Sequence, residues 1–128
     1  MKRTAYIAGG LLGMLGVIMG AFGAHALEST LTANGYADTY ETGARYHMYH
    51  AIFLVVLAVV GEFRQSRWWR LAVIFAIVGT VIFAGTLYLL AIMSWPWMGA
   101  ITPLGGGLLI LSWGALLVHV VTSDKKDK

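Results

Sequence analysis

The sequence contains no cysteine and only two prolines among its 128 residues, and charged residues make up just 12% of it. Without cysteine, the chain forms no disulfide, thiolate nucleophile, iron–sulfur cluster or cysteine-type zinc site. With so few prolines, long helices can run without interruption. Soluble domains carry about 25% charged residues, roughly twice the share found here. So few charges cannot cover a water-facing surface, which argues against a soluble globular domain.

Hydrophobic residues make up 59% of the chain, and they gather in four apolar segments. A membrane-spanning helix needs about 20 predominantly apolar residues. The second segment reaches that length only if it includes the polar residues between Gly43 and His50. We predict an all-α membrane protein in which residues 1–128 form a single domain, a four-transmembrane-helix bundle. Its helices are predicted over residues 5–27, 43–62, 69–93 and 100–121.

The basic residues predict the orientation of the chain. Of the nine lysines and arginines, only Arg45 falls on one face of a four-span protein, and the other eight fall on the opposite face. Because basic loops stay on the cytoplasmic side, the N and C termini are both predicted to be cytoplasmic. Because the basic residues lie beside apolar runs, they indicate how the chain is oriented in a membrane, and we expect no nucleic acid partner. The eight residues are Lys2, Arg3, Arg64, Arg67, Arg70, Lys125, Lys126 and Lys128.

The N-terminal segment also resembles a secretory signal, since Lys2 and Arg3 precede an apolar run and Ala24-His25-Ala26 fits a cleavage pattern. The run is longer than the roughly 7–15 residues usual for a signal core. Its removal would leave an odd number of spans and place the two basic ends on opposite faces. We therefore expect this segment to remain as the first transmembrane helix.

Glycines recur on one face of the first predicted helix. Because glycine has no side chain, a neighbouring helix can approach until the two backbones touch. One interpretation is packing inside the bundle, and the other is a face through which two copies of the chain associate. The glycines that define this face are Gly9, Gly13, Gly16 and Gly20.

The fourth segment begins with Thr102 and Pro103 and continues with Gly105, Gly106 and Gly107. We expect these three glycines to pack closely against the first helix. The alternative is an interrupted helix whose free backbone groups contact a substrate, as in transporters.

Ionisable side chains concentrate near the predicted outer ends of the first two helices. Such groups are costly at membrane depth, so they are candidates for function. We predict that Arg45 pairs with Glu41 or Glu28, and that His50 faces the bundle. His47 and His50 are three residues apart and are expected to share a face of the helix. The candidate cluster at this stage consists of His25, Glu28, Glu41, Arg45 and His50.

No motif in the sequence indicates an enzyme or a metal centre. There is no H-E-x-x-H or C-x-x-C-H pattern, no phosphate-binding loop and no G-x-S-x-G setting for a serine nucleophile. We therefore predict no catalytic residue, no metal ligand and no cofactor. His119, near the cytoplasmic end of the fourth helix, is expected to extend its ring toward the membrane interface.

Four ordered motifs resemble a known family: GAFGAH at residues 20–25, RYHMYHA at 45–51, GTLYL at 85–89 and ITPLGG at 101–106. Together they are similar to the YgdD-like small inner-membrane protein family, also called domain of unknown function 423. The resemblance implies four membrane helices in the bacterial cytoplasmic (inner) membrane, and it implies no activity or cofactor. His25, Arg45, His50 and Thr102 match its motifs, so Thr102 joins the candidate cluster. Members of this family often carry glutamine at position 47, so His47 stays outside the cluster.

Three functions follow as hypotheses. The first is a non-enzymatic accessory or assembly subunit of a membrane complex, since the chain is small and carries a glycine packing face. The second is a small-solute or ion transporter or channel, based on His50 and the glycines after Thr102. The third is a metal- or haem-binding membrane protein. The expected partners are the lipid bilayer and other membrane proteins, or a second copy through the glycine face of the first helix.

Overall fold

The computed structural model describes residues 1–124, and within that range the chain is entirely helical apart from short connections. Predictions for Lys125, Lys126 and Lys128 lie outside the described residues. The five helices are α1 (Lys2–Ala24), α2 (Glu28–Asn34), α3 (Ala37–Phe63), α4 (Arg67–Met93) and α5 (Met98–Asp124).

Four of these helices are long and apolar enough to cross a membrane, which confirms the all-α class and the four apolar segments. The first ends three residues earlier than the prediction, at Ala24. The second, α3, begins six residues earlier, at Ala37, and runs for 27 residues. At 1.5 Å per residue it is about 40 Å long, beyond the roughly 30 Å of bilayer hydrocarbon. The polar residues at its start therefore extend a regular helix out of the membrane.

The short helix α2 packs at the C-terminal ends of α1 and α4 and at the N-terminal end of α3. It ends at Gly35, whose backbone adopts the left-handed conformation with φ of 73° and whose N–H bonds back to Leu31 and Thr32. Glycine takes this conformation without steric cost and is the common residue after a helix end. The side-chain amide of Asn34 donates to the carbonyl oxygens of Ala91 and Ile92 at 3.0 and 3.1 Å. These bonds fix the loop against the end of α4.

The long helices pack in a row that follows the chain. Among the described residues, α1 packs along α3, α3 along α4, and α4 along α5, and α1 has no other long helix packed along its length. At the cytoplasmic-predicted end of this row, the fully buried indole of Trp69 donates to the carbonyl oxygen of Leu57 at 2.7 Å. The buried hydroxyl of Ser112 donates to the carbonyl oxygen of Ala72 at 2.7 Å and so ties α5 to α4.

The glycines of α1 lie against α3 over part of its length. A Cβ at Gly9 would lie 2.8 Å from Val55 Cγ2, and one at Gly16 would lie 3.1 Å from Met48 Cε. Gly13 is in ordinary contact distance of α3, and Gly20 has open space beside it. The face predicted from the sequence thus packs within the molecule at Gly9, Gly13 and Gly16, and near the end of α1 the contact with α3 continues through Gly23, which lies against the Tyr40 ring.

The glycines of α5 do not pack against α1, so that expectation is wrong. A Cβ at Gly105 would lie 2.5 Å from the backbone nitrogen of Phe83 on α4, whereas Gly107 has open space beside it. Gly106 faces the Phe83 ring at ordinary contact distance. The reason is the short turn between α4 and α5, which brings these helices side by side. The helix α5 also continues unbroken through Pro103, so the interrupted helix is absent from the described residues.

Candidate functional site

Two buried histidines on α3 give the membrane interior its most polar side chains. His47 and His50 are each 5% exposed. Successive residues of a helix differ by about 100°, so a separation of three places the two rings about 60° apart around the axis. That angle is enough to separate them: His47 lines a groove with α1 and α4, and His50 lines a groove with α4 and α5. The two rings therefore contact different helices, so the expectation that they share a face is wrong.

Both ring nitrogens of His50 have partners. Nδ1 lies 2.8 Å from the carbonyl oxygen of Tyr46, and Nε2 lies 3.3 Å from Nε1 of Trp113 on α5. A carbonyl can only accept and an indole N–H can only donate, so Nδ1 carries the proton and Nε2 accepts. The Phe53 ring stacks on Trp113 with centroids 3.9 Å apart. His50 is thus a bonded link between α3 and α5.

The groove beside His50 has a volume of about 340 Å³. Its surface is mostly apolar, because aromatic and aliphatic side chains supply nearly all of it. The residues around it are Tyr46, His50, Phe83, Gly106, Leu109, Ile110 and Trp113.

His47 has only one partner. Its Nδ1 lies 3.0 Å from the hydroxyl oxygen of Tyr88 on α4, while its Nε2 is buried without any hydrogen-bond partner. Tyr40 packs on Tyr88 with ring centroids 5.0 Å apart, and the Tyr40 hydroxyl donates to the carbonyl oxygen of Met19 on α1 at 2.6 Å. Around His47, the polar contacts therefore connect α1, α3 and α4 but leave one ring nitrogen unbonded.

The groove beside His47 has a volume of about 230 Å³ and lies between α1 and α4, with α3 beneath it. Apart from His47, Thr80 and Tyr88, its walls are aliphatic or glycine. The residues around it are Leu12, Leu15, Met19, His47, Thr80, Val81, Ala84, Gly85 and Tyr88.

The candidate cluster from the sequence does not form one site. Arg45 Nη2 donates to Glu41 Oε1 at 2.6 Å, and both side chains are more than half exposed, so the pair lies on the surface. Glu41 and Glu28 also border a pocket of about 300 Å³ at the end of α1 and the start of α3. His25 is exposed and follows the last residue of α1, where its N–H bonds to the carbonyl oxygen of Phe22.

The other two members of the cluster lie elsewhere. His50 is in the groove beside α5. The Thr102 hydroxyl bonds to Met98 O at 3.1 Å and to the hydroxyl of Thr86 at 2.8 Å, which joins α5 to α4. Across residues 1–124, no three histidine or acidic side chains are grouped in a way that could hold a metal ion.

His119 is another residue that the sequence placed wrongly. It is 3% exposed, and its Nδ1 lies 2.9 Å from the hydroxyl oxygen of Ser66 in the α3–α4 connection. That hydroxyl also accepts a hydrogen bond from the backbone N–H of Trp69 and so caps the start of α4. The ring therefore ties the end of α5 to the α3–α4 connection instead of extending toward the interface.

The cluster predicted from the sequence also omitted His47 and Tyr88, whose contact lies beside the groove in which one ring nitrogen has no partner. These residues are 41 positions apart, so no local spacing relates them. The only signal available is the general one, an ionisable side chain at membrane depth.

Comparisons with known proteins agree with the resemblance found in the motifs. Residues 19–106 match the family model described as "Protein of unknown function (DUF423)". The chain is 39% identical over 126 residues to the UPF0382 membrane protein YwdK of Bacillus subtilis (strain 168), covering 93% of this chain and 97% of that protein. It is 33% identical over 125 residues to the UPF0382 inner membrane protein YgdD of Escherichia coli (strain K12), covering 98% of this chain and 95% of that protein. No solved structure matches the chain.

Proposed function

The chain belongs to the DUF423 family and is a multi-pass protein of the bacterial inner membrane, and we propose that it acts as a non-enzymatic accessory or assembly subunit of a larger membrane complex. In this role α1 is the helix that docks on another membrane protein. Neither the family description nor the names of its relatives states an activity, so the proposal is supported by the arrangement of the helices.

The observation that carries the proposal is the exposure of α1, which lies at one edge of the row, as α5 lies at the other, but is the less buried of the two. It packs along α3 alone, and the rest of its circumference is apolar and uncovered. Gly10 is exposed and has open space beside it, so a second helix can approach the backbone closely there. Val17, on the same side two turns later, is 63% exposed. The uncovered apolar side chains of α1 are Ile7, Leu11, Met14, Leu15, Val17, Ile18 and Phe22.

The polar groups of the α4–α5 half support a structural role over a catalytic one. Ser66 and His119 share a hydrogen bond of the kind used in nucleophilic catalysis. However, the Ser66 hydroxyl also caps α4, and the His119 ring is buried. Both side chains are thus engaged in holding helix ends together.

The transporter alternative has less support. It depended on an interrupted helix after Thr102 and on a polar route to His50. The helix α5 is continuous over Met98–Asp124. The groove that reaches His50 has mainly apolar walls, and both nitrogens of the ring are already bonded.

We also infer that both termini are cytoplasmic. Lys2 Nζ lies 2.5 Å from Glu62 Oε2, so the start of α1 and the end of α3 lie at the same end of the molecule. The Ser66–His119 bond brings the end of α5 to that end as well. The described basic residues other than Arg45 therefore gather at one end, as expected for a cytoplasmic face.

Photo-crosslinking in the native membrane tests the docking role. A photoreactive amino acid replaces Val17 on α1, and a matched control replaces Leu117 on α5, which is 65% exposed. We expect the Val17 position to yield an adduct with one specific membrane protein and the Leu117 position to yield only lipid adducts. Lipid adducts alone from both positions, or a covalent dimer of this chain from Val17, would contradict the proposal.

The absence of native cysteine makes the orientation simple to test. Single cysteines are introduced as Ser29→Cys in α2 and Gln65→Cys in the α3–α4 connection, both exposed positions. A membrane-impermeant maleimide added to intact spheroplasts is expected to label Ser29→Cys and not Gln65→Cys, until the membrane is opened. The reverse pattern would overturn the orientation.

A further inference from the structure

His47 Nε2 is an unusual atom in this molecule. Among the side-chain nitrogens and oxygens of the described residues, it is the buried one that has no hydrogen-bond partner. The backbone carbonyl of Leu12 on α1 interacts with the ring but lies outside hydrogen-bond geometry. Leaving a polar group unpaired in an apolar medium is costly, and such groups normally have partners. A missing partner here therefore points to a molecule that the fold is built to receive.

The bond to Tyr88 determines what kind of partner is missing. If the Tyr88 hydroxyl donates to His47 Nδ1, then Nε2 carries the proton and one donor remains unpaired. If Nδ1 donates to Tyr88 instead, both the tyrosine proton and the Nε2 lone pair remain unpaired. The first arrangement leaves fewer unmet groups, so Nε2–H is a donor and its missing partner is an acceptor.

The groove beside this donor is long, narrow and apolar. From Tyr88 to Thr80 it follows eight residues of α4, about 12 Å at 1.5 Å per residue. On α1 its wall is formed by Leu12, Leu15 and Met19. A water molecule needs two to four polar partners to be held in a protein, and most of the groove wall is aliphatic, so water alone does not suit its full length. An extended hydrocarbon chain suits these walls.

The depth of His47 in the membrane matches the start of an acyl chain. It is ten residues after Ala37, the first residue of α3, which is about 15 Å along the axis. Since α3 exceeds the hydrocarbon thickness by about 10 Å, His47 lies roughly 5 Å inside the hydrocarbon if the excess is at the outer end. The ester carbonyls of glycerolipids lie close to this boundary, and they accept hydrogen bonds without donating any.

We propose that the groove between α1 and α4 binds one acyl chain of a glycerolipid from the leaflet on the α2 side, and that its ester carbonyl accepts a hydrogen bond from His47 Nε2–H. The chain then runs from Tyr88 toward Thr80. Because Nε2 is fully buried, the proposal requires a small displacement of α1 that gives the carbonyl access to this atom. This inference goes beyond the accessory role, because its ligand is a lipid and its test does not depend on a protein partner.

Ester-linked and ether-linked phospholipids of the same headgroup and chain length test the carbonyl directly. The full-length protein is purified in mild detergent, mixed with either lipid and measured by native mass spectrometry. We expect the wild-type protein to retain the ester lipid about three- to tenfold better, the range expected for one hydrogen bond in an apolar setting. Equal retention of the two lipids would overturn the proposal.

Two substitutions of His47 separate the hydrogen bond from general damage. The variant His47→Phe removes the donor and is expected to abolish the ester preference. The variant His47→Gln keeps an N–H donor and is expected to retain most of it. An ester preference that persists in His47→Phe would overturn the role of Nε2. Selective retention of a quinone in place of the ester lipid by wild-type protein would overturn the assignment of the ligand.

A matched pair of glycine substitutions tests the groove itself and does not depend on His47. Gly85 lines the groove, and a Cβ added there has nothing within 4 Å, so we expect the side chain of Gly85→Leu to occupy the groove. Gly107 on α5 is equally free of neighbours and lies away from the groove. We expect Gly85→Leu to reduce retention of the ester lipid at least threefold, to the level of the ether lipid, and Gly107→Leu to leave it unchanged. Equal retention by both variants would place the lipid elsewhere.

Discussion

The two sides of α3 differ in how completely their buried histidines are hydrogen-bonded. On the side facing α5, which we call the closed side, His50 has both nitrogens bonded and Phe53 stacks on Trp113. On the side facing α1, which we call the open side, His47 keeps one unbonded nitrogen beside an apolar groove. Both rings are equally buried, so burial does not explain the difference.

The difference lies in how closely the outermost helix beside each ring packs against its neighbour. The closed side belongs to α3, α4 and α5, and α4 and α5 are joined by a short turn and pack together along their length. The open side includes α1, which is joined to α3 through α2 and its flanking connections and is the least buried of the four described long helices. A side chain beside the closely packed α4–α5 pair finds partners within the chain, whereas one beside the more exposed α1 depends on what the membrane supplies. This contrast connects the fold to both the docking and the lipid proposals.

The largest loss in stability is expected at the close contact between Gly105 and α4 on the closed side. In Gly105→Ala the new Cβ would lie 2.5 Å from the backbone nitrogen of Phe83, and a backbone cannot move aside as a side chain can. We expect a loss of about 3 kcal/mol in the free energy of unfolding. The measurement is reversible unfolding in mixed micelles of SDS and mild detergent. The control Gly107→Ala meets no neighbour and should be neutral or slightly stabilising, because alanine favours the helix more than glycine does.

A loss similar to that of the control would mean that α4 and α5 separate easily, and the closed side would then not be the rigid part of the molecule.

The two histidines themselves give the next effect. The variant His50→Phe removes the partners of Tyr46 O and of the Trp113 indole N–H, so we expect a loss of about 2 kcal/mol in unfolding free energy. The variant His47→Phe leaves the Tyr88 hydroxyl without its partner but also removes the unpaired Nε2. The loss in unfolding free energy should therefore be below about 1 kcal/mol. Both are measured in lipid-free micelles by the same unfolding assay. If His47→Phe were the more damaging, His47 would be a structural residue and the contrast would fail.

A smaller effect is expected from the contact between α1 and α3. In Gly9→Ala the new Cβ would lie 2.8 Å from Val55 Cγ2, and the nearest backbone atoms, Ala51 O and Val55 N, would be 3.1 and 3.2 Å away, so the clash is less severe than at Gly105. We expect a loss of about 1 kcal/mol, less than for Gly105→Ala. The control is Gly10→Ala, one residue away, where a Cβ meets nothing within 4 Å. Equal losses for Gly9→Ala and Gly105→Ala would show that α1 is held as firmly as α5.

Much of the fold could be predicted from the sequence, because length and apolar composition determine which segments can span a bilayer. The start of α3 could not be placed this way. Apolarity marks where a helix enters the hydrocarbon, and Ala37–Thr42 continue the same helix into the polar region. The packing partner of Gly105 could not be predicted from the sequence either, because a glycine indicates that some backbone comes close but does not identify which one.

The candidate site was predictable only where it is local. The Arg45–Glu41 pair follows from a separation of four residues on one helix. The His47–Tyr88 contact joins residues 41 positions apart, and the Ser66–His119 contact joins residues 53 apart. Such pairs depend on which helices are neighbours and on their rotation, which sequence spacing alone does not determine. The incomplete bonding of His47 could therefore be recognised only from the assembled helices.

The smallest effect is expected from the ion pair that links α1 to α3. Lys2 and Glu62 lie 2.5 Å apart, but their side chains are 47% and 42% exposed, so water and salt screen their attraction. We expect Lys2→Gln to cost less than about 0.5 kcal/mol in unfolding free energy, and the cost should vanish at high salt. The control is Arg45→Gln, which breaks an exposed pair within α3 and joins no two helices. A loss well above that of the control would mean that charge at the cytoplasmic-predicted end, more than glycine packing, holds α1 in place. The open side would then loosen as ionic strength rises, so retention of a lipid in the His47 groove should fall with added salt. If packing through Gly9 holds α1 in place, retention of the lipid should not depend on salt.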